Sequence, residues 1–237
     1  TVLITSSRLA AGNARLLSTS LQMSHFVFSP SEQPRKTNIQ FLLGTEQASY
    51  NPERGFVLIY SSGTTGPPKG VLYSCQNAIL GVKNSVGLLG LSSNDTWLHH
   101  MPAHWRSGFD NIIVAAYTGA YLEFCSNVFS PAWFWQRMSC GGISCMRASP
   151  LLLSSLQESL EEIRHQKSDD EYKRSVRGLQ DIRLLCAVSM RVSDTIKEAW
   201  KELLSGRQLV IVYGTTEVAG MISATDWKAR GDIPSVS

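Results

Sequence analysis

Charge is scarce in this 237-residue chain: Asp, Glu, Lys and Arg make up 17% of it, with 22 basic residues against 19 acidic ones. The net charge of +3 is scattered along the sequence and not gathered into a run. Nucleic-acid binding calls for a basic stripe with aromatics set among the cations, so its absence argues for no nucleic-acid partner. Long apolar runs are lacking too, all falling well short of the ~18–20 residues that cross a bilayer, so no membrane span is expected. The opening TVLITSSRLAAG reads as a strand followed by a helix and not as a secretory signal. Cysteine is sparse and unpaired in pattern: Cys75, Cys125, Cys140, Cys145 and Cys186, with no second Cys or His pair near Cys140 and Cys145 to complete a metal set. Free thiols in a reducing compartment are the simplest reading, which places the protein inside the cell, cytoplasmic by default, with mitochondria and peroxisomes left open. No internal repeat is visible. What the chain does have is apolar material, 43% of residues, enough for a substantial core.

Its pattern alternates strand and helix. Strands are expected at Thr1–Thr5, Ile39–Leu43, Phe56–Tyr60, Asp95–Met101, Ala120–Phe124, Ile182–Ala187 and Leu209–Tyr213. Helices are expected at 8–24, Ser74–Leu89, Asn111–Gly119, Pro131–Met138 behind a Ser130 cap, from Ser149-Pro150 onward, and at Ser193–Leu204. Ser29–Arg54 reads as loop around its one short strand. Phe56–Tyr60, apolar throughout, reads as a strand buried on both faces. The charged stretch Gln157–Gln180 reads as a solvated helix end and loop. The alternation predicts an α/β fold, layered, with mixed and largely parallel sheets flanked by helices.

One segment carries chemistry. Ser61-Ser62-Gly63-Thr64-Thr65-Gly66-Pro67-Pro68-Lys69-Gly70 packs three glycines, four hydroxyls and a lysine into ten residues. Glycines let backbone N–H groups approach a polyphosphate, the hydroxyls donate to its oxygens, and the lysine adds a compact positive charge. A Walker loop is excluded by spacing. Counting from Gly63, its second glycine falls on Pro68, and Lys69 is followed by Gly70 instead of Ser or Thr.

The run YSSGTTGPPKGV resembles the phosphate loop of the adenylate-forming superfamily, which includes acyl-CoA synthetases, nonribosomal-peptide adenylation domains and luciferases. The family usually has Thr where this chain has Ser61. By that resemblance Ser61, Ser62, Gly63, Thr64, Thr65, Gly66 and Lys69 would wrap the β- and γ-phosphates of ATP. A second run, Tyr213-Gly214-Thr215-Thr216-Glu217, resembles the family's YG-x-TE motif and follows in the same order. It implies Tyr213 stacked on adenine, Thr216 bonded to the α-phosphate and Glu217 as a Mg²⁺ ligand. A carboxylate suits that hard cation.

Between the two, Met101-Pro102-Ala103-His104-Trp105-Arg106-Ser107-Gly108 resembles the P-[LM]-x-H-x-x-G segment that lines the acyl pocket, assigning His104 and Trp105 to the substrate. IRLLCAVS, Ile182–Ser189, resembles the strand and loop that lie along adenine, with Ala187-Val188-Ser189 as a bulkier form of a glycine-rich turn. Malonate-using members carry an Arg directly before the YG. Here that position is Val212, which cannot neutralise a buried carboxylate, so a monocarboxylic acid is favoured.

The resemblance implies a ligase that activates a small-molecule carboxylic acid as acyl-AMP with ATP and Mg²⁺. The acyl group is then passed to CoA or to a carrier-protein thiol. A peptide-synthetase adenylation domain and a non-catalytic folded fragment are the alternatives. It also implies that residues 1–237 are part of the large N-terminal domain, 1–54 ending a first subdomain and 55–237 forming the nucleotide- and acyl-binding part. Pro234-Ser235-Val236-Ser237 resembles the family's G-S-V-G segment. The C-terminal domain with its catalytic lysine would lie outside the chain, leaving this piece by itself with little or no turnover.

Overall fold

The computed structural model describes residues 2–6, 24–28, 51–61, 66–125, 129–166 and 168–225. The chain divides into two units, Thr1–Tyr50 and Asn51–Ser237. In the first, β1 (Val2–Ser6) and β2 (Ser24–Phe28) pair in parallel, Val2 opposite Ser24 through Ser6 opposite Phe28. Ser24, expected to end a helix, opens β2; the rest of that helix and the strand Ile39–Leu43 lie outside the described residues.

The second unit begins with a hairpin. β3 (Gly55–Ser61) and β4 (Lys69–Ser74) pair antiparallel, Ser61 opposite Lys69 and Tyr60 opposite Gly70. This corrects one expectation and fills a gap in another. β3 is not buried on both faces: Ile59 is buried with Tyr73 of β4 and Ala219, whereas Phe56, Leu58 and Tyr60 are 50–61% exposed. Period-2 alternation puts these three on the opposite face, and an all-apolar run hides that period. The helix expected at Ser74–Leu89 forms, but a strand that the sequence reading did not place precedes it. The chain first returns as β4, because Lys69–Ser74 must satisfy the ladder groups of β3, and only then does Ser74 cap α1 (Cys75–Leu89) by accepting from the Asn77 amide.

The main sheet has six strands in the order β10-β9-β8-β7-β5-β6: β5 (Thr96–His99), β6 (Tyr121–Phe124), β7 (Cys145–Ala148), β8 (Leu184–Ala187), β9 (Val210–Tyr213) and β10 (Ser223–Ala224). β5 to β9 run parallel, and β10 turns back against β9. The expected layered, largely parallel α/β architecture is therefore what the chain forms. β7, at the centre, has no counterpart in the sequence reading: its four residues are buried, with an arginine among them.

Helices cover both faces. On one, Leu98, Met146, Ala148, Leu185 and Ala187 meet α3 (Pro131–Met138), α4 (Pro150–Gln166), α5 (Asp169–Leu179) and α6 (Asp194–Leu203). The buried indoles here satisfy their N–H groups on α4 carbonyls, Trp135 on Leu156 at 3.0 Å and Trp200 on Leu153 at 3.2 Å. On the other, Trp97, Cys145, Leu184, Cys186 and Val210 meet α1 and α2 (Arg106–Thr118). The charged stretch Gln157–Gln180 is corrected as well. It holds the end of α4 and the whole of α5, whose Ser175, Gly178 and Leu179 are buried. An amphipathic helix with a narrow apolar stripe reads as solvated when only its charge is counted.

Candidate nucleotide site

In an open parallel sheet, ligands sit beyond the carboxyl ends of the strands, where the strand order reverses. Here the reversal is at β5, flanked by β6 and β7. The structure gathers the sequence-predicted motifs around the carboxyl ends of this sheet through specific contacts. Tyr213 ends β9, and Gly214 to Glu217 turn away from it into a short 3₁₀ helix, Thr216–Val218. Tyr73, buried on β4, donates its hydroxyl to the carbonyl oxygen of Thr216. That contact ties the hairpin carrying the glycine-rich loop to the YGTTE turn, 143 residues away.

The turn is held from its other side by α1. A Cβ on Gly81 would lie 1.9 Å from the carbonyl oxygen of Ala219, so only glycine fits there. Asn84 donates to the carbonyl of Met221 at 3.0 Å. Ala219, at φ 55°, completes the turn in the left-handed region, and the Ile222 amide closes onto the Tyr213 carbonyl at 2.8 Å.

Of the phosphate-loop residues, Ser61 and Lys69 face each other across the hairpin, the Ser61 hydroxyl donating to the Lys69 carbonyl at 3.4 Å. Gly66 and Lys69 are exposed, while Ser62, Gly63, Thr64 and Thr65 lie outside the described residues. His104 and Trp105 are exposed in the loop before α2. They share a cleft of about 380 Å³ with Val57, Ile59, Ser61, Pro68 and Phe109, so the acyl motif and the phosphate hairpin meet at one opening. Ala187 pairs with Ile211, which sets the strand end beside Tyr213. Ala187 and Val188 are buried there; of these three, Ser189 is the one exposed to solvent, at φ 76°. Val212 is half-buried, and Tyr213 and Glu217 are exposed.

Glu217 is a single carboxylate, and among the described residues no group of three His, Cys, Asp or Glu converges on a metal position. That donor set suits Mg²⁺, which keeps waters and phosphate oxygens as most of its ligands and takes one or two protein carboxylates. It does not suit a cation caged by protein.

Three further residues around the site were not found from sequence. Arg106 stacks over the Tyr73 ring at 5.3 Å and pairs with Asp110 one turn along α2. Burial pulls its pKa down to about 10, against the pull of Tyr73 and with a contribution from Arg147. Arg147 on β7 is buried over Trp97 and lies 3.6 Å from Asp110. The i,i+4 spacing of Arg106 and Asp110 on one helix was the available signal.

Solved structures share this architecture. VinN in complex with L-aspartate matches with a TM-score of 0.66 at 22% identity, over 93% of this chain and 52% of that one. ATP-bound MatB from Rhodopseudomonas palustris matches at 0.67 and 17% identity, over 98% and 42%. Human malonate–CoA ligase ACSF3, mitochondrial, is 30% identical over 174 residues, covering 72% of this chain and 30% of the relative. A probable CoA ligase of hop, Humulus lupulus, CCL8, is 27% identical over 77% of this chain and 30% of its own. The chain thus spans about a third of the length of these curated relatives. The class is that of the adenylate-forming enzymes, as the two motifs implied. The chain belongs to the AMP-binding enzyme family, which matches residues 3–236.

Proposed function

We propose that the chain carries the ATP- and acid-binding part of an AMP-forming acid–CoA ligase. A carboxylate oxygen of the acid attacks the α-phosphorus of ATP. The bond to the bridging oxygen breaks, pyrophosphate leaves with that electron pair, and acyl-AMP remains. The thiolate of CoA then attacks the acyl carbon, and AMP departs with the C–O electrons. Ser61 to Gly66 and Lys69 hold the β- and γ-phosphates, acting by position and charge. Tyr213 stacks on adenine, with the backbone of Ala187 to Ser189, Gly214 and Thr215 around it. Thr216 bonds the α-phosphate and Glu217 holds Mg²⁺. When bound, that ion offsets the charge gathered on the phosphates.

His104, Trp105 and Val212 border the acid. The apolar residues of the shared cleft favour a monocarboxylic acid. CoA is the acceptor that the names of the curated relatives favour over a carrier thiol. Residues 1–54 close a first subdomain and 55–237 form the working part. The compartment is intracellular, with mitochondria favoured by the human relative.

The observation that carries this reading is the Tyr73–Thr216 contact, which puts the phosphate hairpin and the YGTTE turn in one place. Titration of the chain with a fluorescent ATP analogue, with and without Mg²⁺, tests it. Lys69→Ala should weaken binding about tenfold, the scale of one charge-assisted hydrogen bond. Glu217→Ala should remove most of the gain that Mg²⁺ brings. Wild-type binding in both variants would overturn the assignment.

A further inference from the structure

Thr216 and Glu217 share a peptide bond whose carbonyl oxygen is held on two sides. The Ala219 amide donates to it at 3.4 Å, a long bond within the turn, and the Tyr73 hydroxyl donates to it from β4. Tyr73 is 2% exposed, and its strand also carries Lys69. Its ring lies under the guanidinium of Arg106, which is fixed in turn by Asp110. The phenol has little freedom: the ring is packed with Ile59 and Ala219, and its one described hydrogen bond goes to Thr216. Burial, opposed by Arg106 and reinforced by Glu217, raises the phenol pKa, so it stays protonated and a donor at neutral pH.

We propose that Tyr73 is a positioning residue that sets the Thr216–Glu217 peptide, and with it the Mg²⁺ carboxylate, relative to the lysine of the phosphate hairpin. This deepens the functional reading above and rests on it. The carbonyl of residue 216 defines the plane from which both the Thr216 and Glu217 side chains project. A rotation of that plane would redirect the two groups assigned to the α-phosphate and the metal. Lys69 lies four residues before Tyr73 on β4, so one strand supplies both the cation for the outer phosphates and the clamp for the inner site. Arg106 joins the third motif to the same point, because it follows His104 and Trp105 directly in sequence. The phosphate, acyl and metal motifs thus meet around one phenol.

The test is Tyr73→Phe, which keeps the ring under Arg106 and removes only the donor, with Tyr73→Leu beside it. In Tyr73→Phe, hydrogen exchange of the turn Thr215–Gly220 should speed up at least tenfold, while exchange in β3 and β4 stays within twofold of wild type. Affinity for the Mg²⁺ complex of ATP should fall roughly five- to tenfold, the scale of one hydrogen bond to a neutral group. Affinity for metal-free ATP should fall less, because that complex depends on Thr216 but not on Glu217. Tyr73→Leu should lose both and melt lower, because it also removes packing. Unchanged exchange in the turn would overturn the proposal, as would equal loss of metal-free and Mg²⁺-bound ATP in Tyr73→Phe, the mark of a merely structural role. If wild type binds no ATP in either form, the functional reading falls and Tyr73 does not position a metal site. Faster exchange in the turn would then show a structural clamp alone.

Discussion

The carboxylate of Asp110 stands between two arginines, accepting from Arg106 one turn earlier on α2 and lying 3.6 Å from Arg147 on β7. All three side chains are shielded from water, Asp110 at 8% and Arg147 at 3% exposure. Asp110 is the one carboxylate within ion-pair reach of Arg147 among the described residues. Beside it, Nε and one Nη of Arg147 and both amide atoms of Asn111 have no protein partner among those residues. Stability at this point therefore depends on a single counter-charge.

Asp110→Asn leaves two buried cations facing a neutral amide. Breaking a buried pair from one side costs about 3–5 kcal/mol, and a drop of that size in urea unfolding is the expected result. Arg147→Met should cost less, because Asp110 keeps Arg106 and the methionine replaces a poorly satisfied cation by an apolar chain. The double variant should be more stable than the sum of the two singles. A cost below ~1 kcal/mol for Asp110→Asn would show that the pair is solvated and weak.

The pH dependence of stability has a definite sign. His99, buried at the end of β5, has its pKa pushed down to about 4, first by burial and then by His100 and Arg147. His100 is lowered too, by burial, against the hydrogen bond it makes with the Arg147 carbonyl. The unfolded histidines titrate near the usual ~6.5. Between that value and about 4 the unfolded chain takes up protons that the folded chain refuses, so stability is lost as pH falls through this window. His99 alone would contribute up to roughly 3 kcal/mol, at ~1.4 kcal/mol per unit. Unfolding by urea at pH 7 and pH 4.5 measures it, and His99→Gln should flatten the difference. Asp95 acts lower. Burial raises its pKa, but Arg183 and the Ser92 amide outweigh that, and the stability it brings is lost only as pH drops below the ordinary carboxylate value.

The acid class can be read by ligand-induced stabilisation. With ATP and Mg²⁺ present, butyrate should raise the melting temperature more than malonate does, because Val212 and the apolar cleft offer no cation to a second carboxylate. A larger shift with malonate would reverse the choice. It would point to the two buried cations of this region, Arg106 and Arg147.

How much of this was legible beforehand follows from what each signal measures. Caps were readable because they are local: Ser130 does accept from the Trp133 amide, and Pro131 does open α3. Parallel strands with long apolar runs, such as β8, were readable for the same reason. β7 was not, because Arg147 in its four residues breaks the apolar run, and the residue that tolerates it, Asp110, lies on another element. The hairpin was half legible. Its glycine-rich loop announced the chemistry, but the return strand β4 is fixed by pairing with β3, which no window around Lys69 contains. Tyr73 was missed because its partner is a backbone carbonyl, which has no sequence signature.

Two glycines of one helix give the sharpest contrast between sequence and structure. Gly81 and Gly87 both lie inside α1, where replacing glycine by alanine stabilises a free helix by about 1 kcal/mol. By propensity alone the two substitutions are equivalent. At Gly87 an added Cβ meets nothing within 4 Å, so Gly87→Ala should gain up to that amount. At Gly81 the Cβ would lie 1.9 Å from the carbonyl oxygen of Ala219 and 3.0 Å from its carbon, both backbone atoms that cannot rotate aside. Either α1 moves off the turn or the turn moves off α1. Overpacking of this kind costs about 1–3 kcal/mol, so Gly81→Ala should destabilise. Since the displaced segment is the YGTTE turn, Gly81→Ala should also weaken nucleotide binding severalfold, while Gly87→Ala leaves it unchanged. Urea unfolding and nucleotide titration of the two variants side by side decide it. Equal stabilisation by both would mean that α1 does not press on the turn at all.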